Sequence, residues 1–140
     1  MSEKTTASLG YTLFYVADVE STLTFYQTAF GLERRMITPE GDYGELNTGA
    51  TTLSFVVNEL AHSNLDAAGG FTPLDATQPP VGATIGLVTD DVAGTVAAAK
   101  QAGGIGYTEP TEKPWGQTVA YIRDPNGILI EVVTPMGDPA

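Results

Sequence analysis

The chain has 140 residues, the size of one ordinary domain, with 42% hydrophobic and 16% charged side chains, a globular balance and not a disordered one. Seventeen acidic side chains against six basic ones leave a net charge of −11. Such a surface repels phosphate backbones and anionic membranes, so neither nucleic acid nor a membrane is an expected partner. Cysteine is absent, which excludes disulfides, thiolate nucleophiles and zinc–thiolate sites. The polar start, Met1 to Ser8, has no signal-like apolar segment, and no run is apolar enough to span a bilayer, so cytoplasm is the expected compartment.

The first predicted strand, Tyr11 to Ala17, alternates and is rich in aromatic and β-branched residues. Asp18 follows as an N-cap, and Val19, Leu23, Tyr26 and Phe30 form the apolar stripe of a helix that Gly31 stops. Three short strands are expected next, around Glu33–Ile37, Tyr43–Asn47 and Thr51–Val57. From Glu59 to Gly82 the chain turns rich in Ala, Gly, Pro and Asp. This is a connection with about one helical turn near Glu59–Leu65, long enough to cover something or to lie at an interface.

The same grammar then returns. Thr84 to Thr89 reads as a strand, Asp91 as its cap, Val92, Val96 and Ala99 as a helical stripe, and Gly103-Gly104 as the stop. Tyr11 to Thr84, Asp18 to Asp91 and Gly31 to Gly104 are all spacings of 73 residues. Trp115-Gly116 matches Tyr43-Gly44 at 72 and Glu131 matches Ser54 at 77, with the turn Asp124-Pro125-Asn126-Gly127 absorbing the extra length. Agreement in strand, cap, stripe and stop argues for a duplicated βαβββ module. The fold class is α+β, with two such modules forming a cupped mixed sheet and helices outside. Residues 9–135 make one domain: a first module at about 9–58, a connection at 59–82 and a second module at 83–135.

With Tyr15-Val16-Ala17-Asp18 before Phe25-Tyr26, Trp115-Gly116-Gln117, and a closing Asp124-Pro125-Asn126-Gly127 run to Glu131, the chain resembles the vicinal oxygen chelate superfamily over about Leu9 to Pro135. Glyoxalase I, extradiol dioxygenases, fosfomycin-resistance enzymes and bleomycin-binding proteins are members. The resemblance implies a divalent ion held by side chains on the first and last strands of each module, and a symmetric dimer. The corresponding positions here are Tyr11, Ser54, Thr84 and Glu131, of which Glu131 alone is a credible ligand. One carboxylate with a phenol and two hydroxyls is not a site for Zn²⁺, Ni²⁺ or Fe²⁺, so neither metal nor other cofactor is expected. The sole histidine, His62, lies in the connection, where it is expected to be solvated.

What remains is the cup. Alternation puts Tyr11, Leu13 and Tyr15 on one face, with Thr52, Ser54 and Val56, and Leu129, Glu131 and Val133 on another. Tyr43 and Trp115, taken as repeat equivalents, are expected to wall opposite ends, with Trp115 near the mouth. Tyr11, Tyr15, Tyr43, Ser54, Thr84, Trp115 and Glu131 are thus the candidate ligand contacts of an apolar, aromatic-lined pocket. Glu131, between Ile130 and Val132, needs either a wet cavity or a partner such as the Tyr11 hydroxyl or an arginine. The leading expectation is a homodimeric binder of a small molecule without metal. Three alternatives stand beside it: a metal-free lyase or isomerase with Glu131 as general base or acid, a glyoxalase-type metalloenzyme including Glu131, and a dimeric scaffold whose cup is filled.

Overall fold

The computed structural model describes residues 5–136; Met1 to Lys4, part of the polar start, lie outside the described residues. Strand β1 (Tyr11–Val16) leads into helix α1 (Val19–Phe30), followed by β2 (Glu33–Ile37), β3 (Tyr43–Asn47) and β4 (Thr52–Val57). The helix starts where Asp18 leaves helical geometry and its carboxylate accepts the Ser21 N–H at 2.8 Å, and it stops at Gly31, whose φ of 70° is left-handed. In the second module β5 (Thr84–Val88) precedes α3 (Val92–Gln101), capped by Asp91 accepting the Gly94 N–H at 2.9 Å. Both helices begin at the predicted caps, and α3 ends at Gln101, two residues before the spacing from Phe30 would place it.

The connection holds more structure than expected. Helix α2 (Asn58–Leu65) runs two turns directly out of β4, and a 3-10 turn over Asp66–Ala68 follows. Only Ala61 of α2 is buried, so the apolar pattern that would have announced it is missing. In the second module the second strand is split into β6 (Ile105–Gly106) and β7 (Thr111–Glu112), both paired with β8 (Thr118–Arg123). Pro110 has no N–H for the ladder, and the amides of Tyr107 and Thr108 both reach the Tyr121 carbonyl. The last strand is β9 (Leu129–Val133).

The mixed sheet is in two open parts, ordered β1-β4-β3-β2 and β5-β9-β8-β6, with β7 also on β8. In each, the first strand of the module pairs parallel with the last, Tyr11 opposite Thr52 and Thr84 opposite Leu129. This leaves β1 and β5 as edges. The helices lie against one face of their own sheets and pack on each other. The stripe residues Val19, Leu23 and Tyr26 are fully buried, and Phe55, Leu46, Ile122, Ile130 and Val132 close the core from both sheets. Gly44 permits this approach, since a Cβ there would stand 2.7 Å from Leu23 Cδ1 and 2.8 Å from Val19 Cγ1. Among the described residues, no helix is long and apolar enough to cross a membrane.

The modules are also joined by a polar contact in the core. Tyr26 on α1 donates to Asp124 Oδ2 at 3.0 Å, while Asp124 Oδ1 accepts the N–H groups of Asn126 at 2.9 Å and Ile128 at 2.8 Å. Asp124 is fully buried, and burial raises its pKa despite these bonds. Beside it, the Arg123 guanidinium donates to the carbonyls of Gly127, Ala76, Gln78 and Asp75. A turn predicted from Pro and Asn-Gly is therefore also the anchor between the modules and of the connection.

Candidate functional site

Each sheet keeps one face away from its helix. On the first sheet this face carries Tyr11, Leu13 and Tyr15 of β1 beside Thr52, Ser54 and Val56 of β4, as alternation predicts, and the ladder adds Tyr43 and Glu45 of β3. The Tyr43 hydroxyl donates to Glu45 Oε2 at 2.7 Å and lies 3.2 Å from the Oγ of fully buried Ser54. Burial raises the Tyr43 pKa and Glu45 adds to it, while Ser54 opposes the rise. Tyr11 is 56% exposed at the edge, and Tyr15 meets Phe71 of the connection edge to face, with ring centroids 4.9 Å apart. Phe71 in turn stacks on His62, whose Nδ1 stands 3.1 Å from Asp66 Oδ1. The histidine is therefore on a helix and against an aromatic ring, not free in a loop.

On the second sheet the matching face carries Thr84, Gly86 and Val88 of β5, Leu129, Glu131 and Val133 of β9, and Tyr121 of β8. Glu131 is half-buried, and its partner is neither Tyr11 nor an arginine. Tyr121, directly across the ladder, donates to Glu131 Oε2 at 2.8 Å. That hydrogen bond to a carboxylate is the main cause of a raised Tyr121 pKa. Thr84 Oγ donates to the Leu129 carbonyl at 3.2 Å.

Trp115 is not where the repeat placed it. It lies at the tip of the β7–β8 hairpin, 62% exposed, with its indole N–H on Gln117 Oε1 at 2.7 Å. The hairpin Lys113-Pro114-Trp115-Gly116, closed by the Gly116 N–H on the Lys113 carbonyl, copies Thr38-Pro39-Glu40-Gly41, closed in the same way. Trp115 thus corresponds to Glu40, whereas Tyr43, opposite Val56, corresponds to Val119, opposite Val133. A shared Pro at the second turn position and Gly at the fourth was the signal for this alignment. Glu45 and Tyr121 were missed as well; alternation from Tyr43 points to the first, but the second needs the β8–β9 register.

Between the edge strands β1 and β5 runs a cleft of about 630 Å³. Phe14, Leu32, Leu53, Ile85 and Leu87 make its apolar walls, and Thr12, Thr48, Thr52 and Thr84 supply hydroxyls. Of the seven predicted contacts only Thr84 lines it. Gly86, also in the wall, stands directly opposite Glu131 in the β5–β9 ladder and bears no side chain. Glu131 itself does not line the cleft.

The ion-binding positions of related modules do not fit a transition metal here. Ser54 is buried beneath Tyr43, Thr84 holds a backbone carbonyl, Glu131 is engaged by Tyr121, and none but Glu131 is a strong donor. Among the described residues, no three His, Cys, Asp or Glu side chains are placed to share an ion.

Residues 8–132 match the family model of the Glyoxalase/Bleomycin resistance protein/Dioxygenase superfamily, and the chain belongs to that superfamily. The lactoylglutathione lyase GLX1 of Arabidopsis thaliana is 29% identical over 132 residues, covering 88% of this chain and 42% of that protein. The chain spans less than half the length of the curated relatives it matches. The fold is shared with a glyoxalase/bleomycin resistance protein/dioxygenase family enzyme of Burkholderia phytofirmans PsJN, at a TM-score of 0.75 and 20% identity over 91% of this chain and 98% of that one. A hypothetical protein of S. aureus aligns at a TM-score of 0.74 and 22% identity over 94% and 96%.

Proposed function

We propose that this chain binds a small molecule in the cleft between its two modules and does so without a metal. The cleft itself carries the reading: an apolar trough edged by hydroxyls, at the junction of two edge strands, has the composition of a ligand site. The donor set argues against metal chemistry, and the relatives named lactoylglutathione lyase do not restore the missing ligands. A sequestering or carrier role follows from these residues more directly than turnover.

Gly86 makes the reading testable. A Cβ there would meet nothing within 4 Å, so Gly86→Leu adds bulk to the strand that lines the cleft without a clash. After incubation with a metabolite extract, native mass spectrometry should find a small-molecule adduct on the chain and lose it in Gly86→Leu. An adduct that persists in the variant places the ligand elsewhere. Elemental analysis of the same preparations should find divalent transition metal well below one equivalent per chain; a stoichiometric metal lost on Glu131→Ala would overturn the metal-free reading.

The chain is also proposed to form a homodimer. Strands β1 and β5 leave one side of their backbone unpaired, Tyr11 and Val88 on them are 56% and 66% exposed, and such edges are normally covered. Light scattering at micromolar concentration should give twice the chain mass, and a monomer mass would count against it.

A further inference from the structure

The interval of 73 residues that relates the two modules also relates two grooves beside the helices α1 and α3. The first, of about 460 Å³, includes Asp18, Thr22, Phe25 and Ala102. The second, of about 380 Å³, includes the repeat equivalents Asp91, Thr95 and Ala98, with Ala29 from the other helix. Each lies between the capped start of one helix and the end of the other. Their chemistry differs. In the first, Asn126 of the β8–β9 turn donates to Thr22 Oγ1 at 3.0 Å, and Ser21, Thr24 and Thr28 add further hydroxyls. In the second, Ala98 stands where the first has Phe25, and Phe30, Leu32 and Leu87 form a partly exposed apolar floor.

One charge stands at the edge of that floor. Asp91 is exposed, and among the described residues that line the groove it is the only charged one. Its Oδ1 is occupied by the Gly94 N–H at 2.9 Å, the bond that caps α3. Its Oδ2 has no hydrogen-bond donor among the described residues. That oxygen lies over Gly94, where a Cβ would collide with it, so the missing side chain leaves it room. The last turn of α1 also reaches the groove, carries no basic side chain, and ends in carbonyls of partial negative charge. Lys100, further along α3, lies against Gly106 instead.

We propose that this groove is a second small-molecule site and that its ligand is an amine on an apolar body. The ammonium meets Asp91 Oδ2, and the body lies on Phe30, Leu32 and Leu87. A carboxylate oxygen without a donor matches an ammonium in a charge-assisted hydrogen bond, and the volume falls within the ordinary range of ligand pockets. The net charge of −11 draws cations to this surface and repels anions of the same shape. The proposal stands apart from the cleft reading. The two spaces share Leu32 and Leu87, but no charged residue lines the cleft.

Amide NMR titrations with phenethylamine, phenethyl alcohol and hydrocinnamate, which share a ring and differ in the end group, test this. The amine should bind about tenfold more tightly than the alcohol, and the acid more weakly than either. The shifts should centre on the amides of Phe30, Gly94 and Thr95. Asp91→Asn, which keeps a capping side chain, should bring the amine down to the affinity of the alcohol. Ala98→Phe, which copies the residue at the equivalent position of α1, should abolish binding of both. Asp18→Asn, at the equivalent cap, should change neither. Melting curves establish that the three variants are folded. Amine binding that ignores Asp91→Asn, or that does not exceed binding of the alcohol, overturns the proposal. Binding that persists in Ala98→Phe and is lost in Gly86→Leu puts the amine in the cleft, which overturns the groove and supports the cleft. No shift with the amine at millimolar concentration overturns the groove alone, since an adduct from the extract still reports on the cleft.

Discussion

Asp124→Ala should lower the unfolding free energy by about 3–5 kcal/mol, because it strands several buried donors at once, each costing about 1–3 kcal/mol. The donors are the Tyr26 hydroxyl and the amides of Asn126 and Ile128, all satisfied by one fully buried carboxylate. Thermal unfolding should fall by roughly 10–15 °C. Asp124→Asn, which retains one oxygen for the two amides, should cost about half as much. The pair also has a pH signature. Burial raises the folded-state pKa of Asp124, so between the ordinary carboxylate value and that raised value the folded chain binds more proton than the unfolded one. Stability therefore rises as pH falls through that window, and the wild-type chain should gain on Asp124→Asn on acidification. A gap that is flat with pH, or one that narrows, would contradict the assignment.

Arg123→Met should cost about 2–4 kcal/mol, since hydrogen bonds from a charged donor are the strong ones and methionine fills much of the same volume. The effect should be local as well as global. Three of the four carbonyls that Arg123 holds belong to Asp75, Ala76 and Gln78 in the connection. Limited proteolysis should cut residues 72–82 faster in the variant under conditions where the sheets stay intact. Unchanged melting and unchanged cleavage would show that the connection is held by Leu74 and its neighbours instead, which pack against the core.

The helices were legible because local chemistry dictates them. Asp18 and Asp91 can cap, Gly31 can turn left-handed, and the stripes repeat every three or four residues whatever surrounds them. Alternation likewise assigned the faces of β1, β4 and β9. What stayed hidden depends on partners far along the chain. Glu131 faces Tyr121 only once the β8–β9 register is known, and Arg35 reaches Thr52 only because β2 carries a bulge that no residue type announces. Nothing in the sequence marks Arg123 out, since arginine is normally a surface residue and its carbonyl cage comes from a segment with no periodicity of its own. Trp115 was misplaced for another reason. The repeat was aligned on aromatic residues, whereas the conserved physical element of the two hairpins is the Pro and Gly of their turns.

Pairing the first strand of each module with its last also governs the order in which the chain can assemble. Strand β1 emerges from a ribosome early but has no ladder partner until β4 follows, and β5 waits in the same way for β9. Closing such loops before any contact repays the entropy makes the step slow. Once Val57 is synthesised the first module has every strand it needs, yet Tyr26 must wait 98 residues for Asp124, and the α1 surface waits for α3. A half-made chain therefore presents a finished sheet with an unburied aromatic helix face, the species on which a holding chaperone would act.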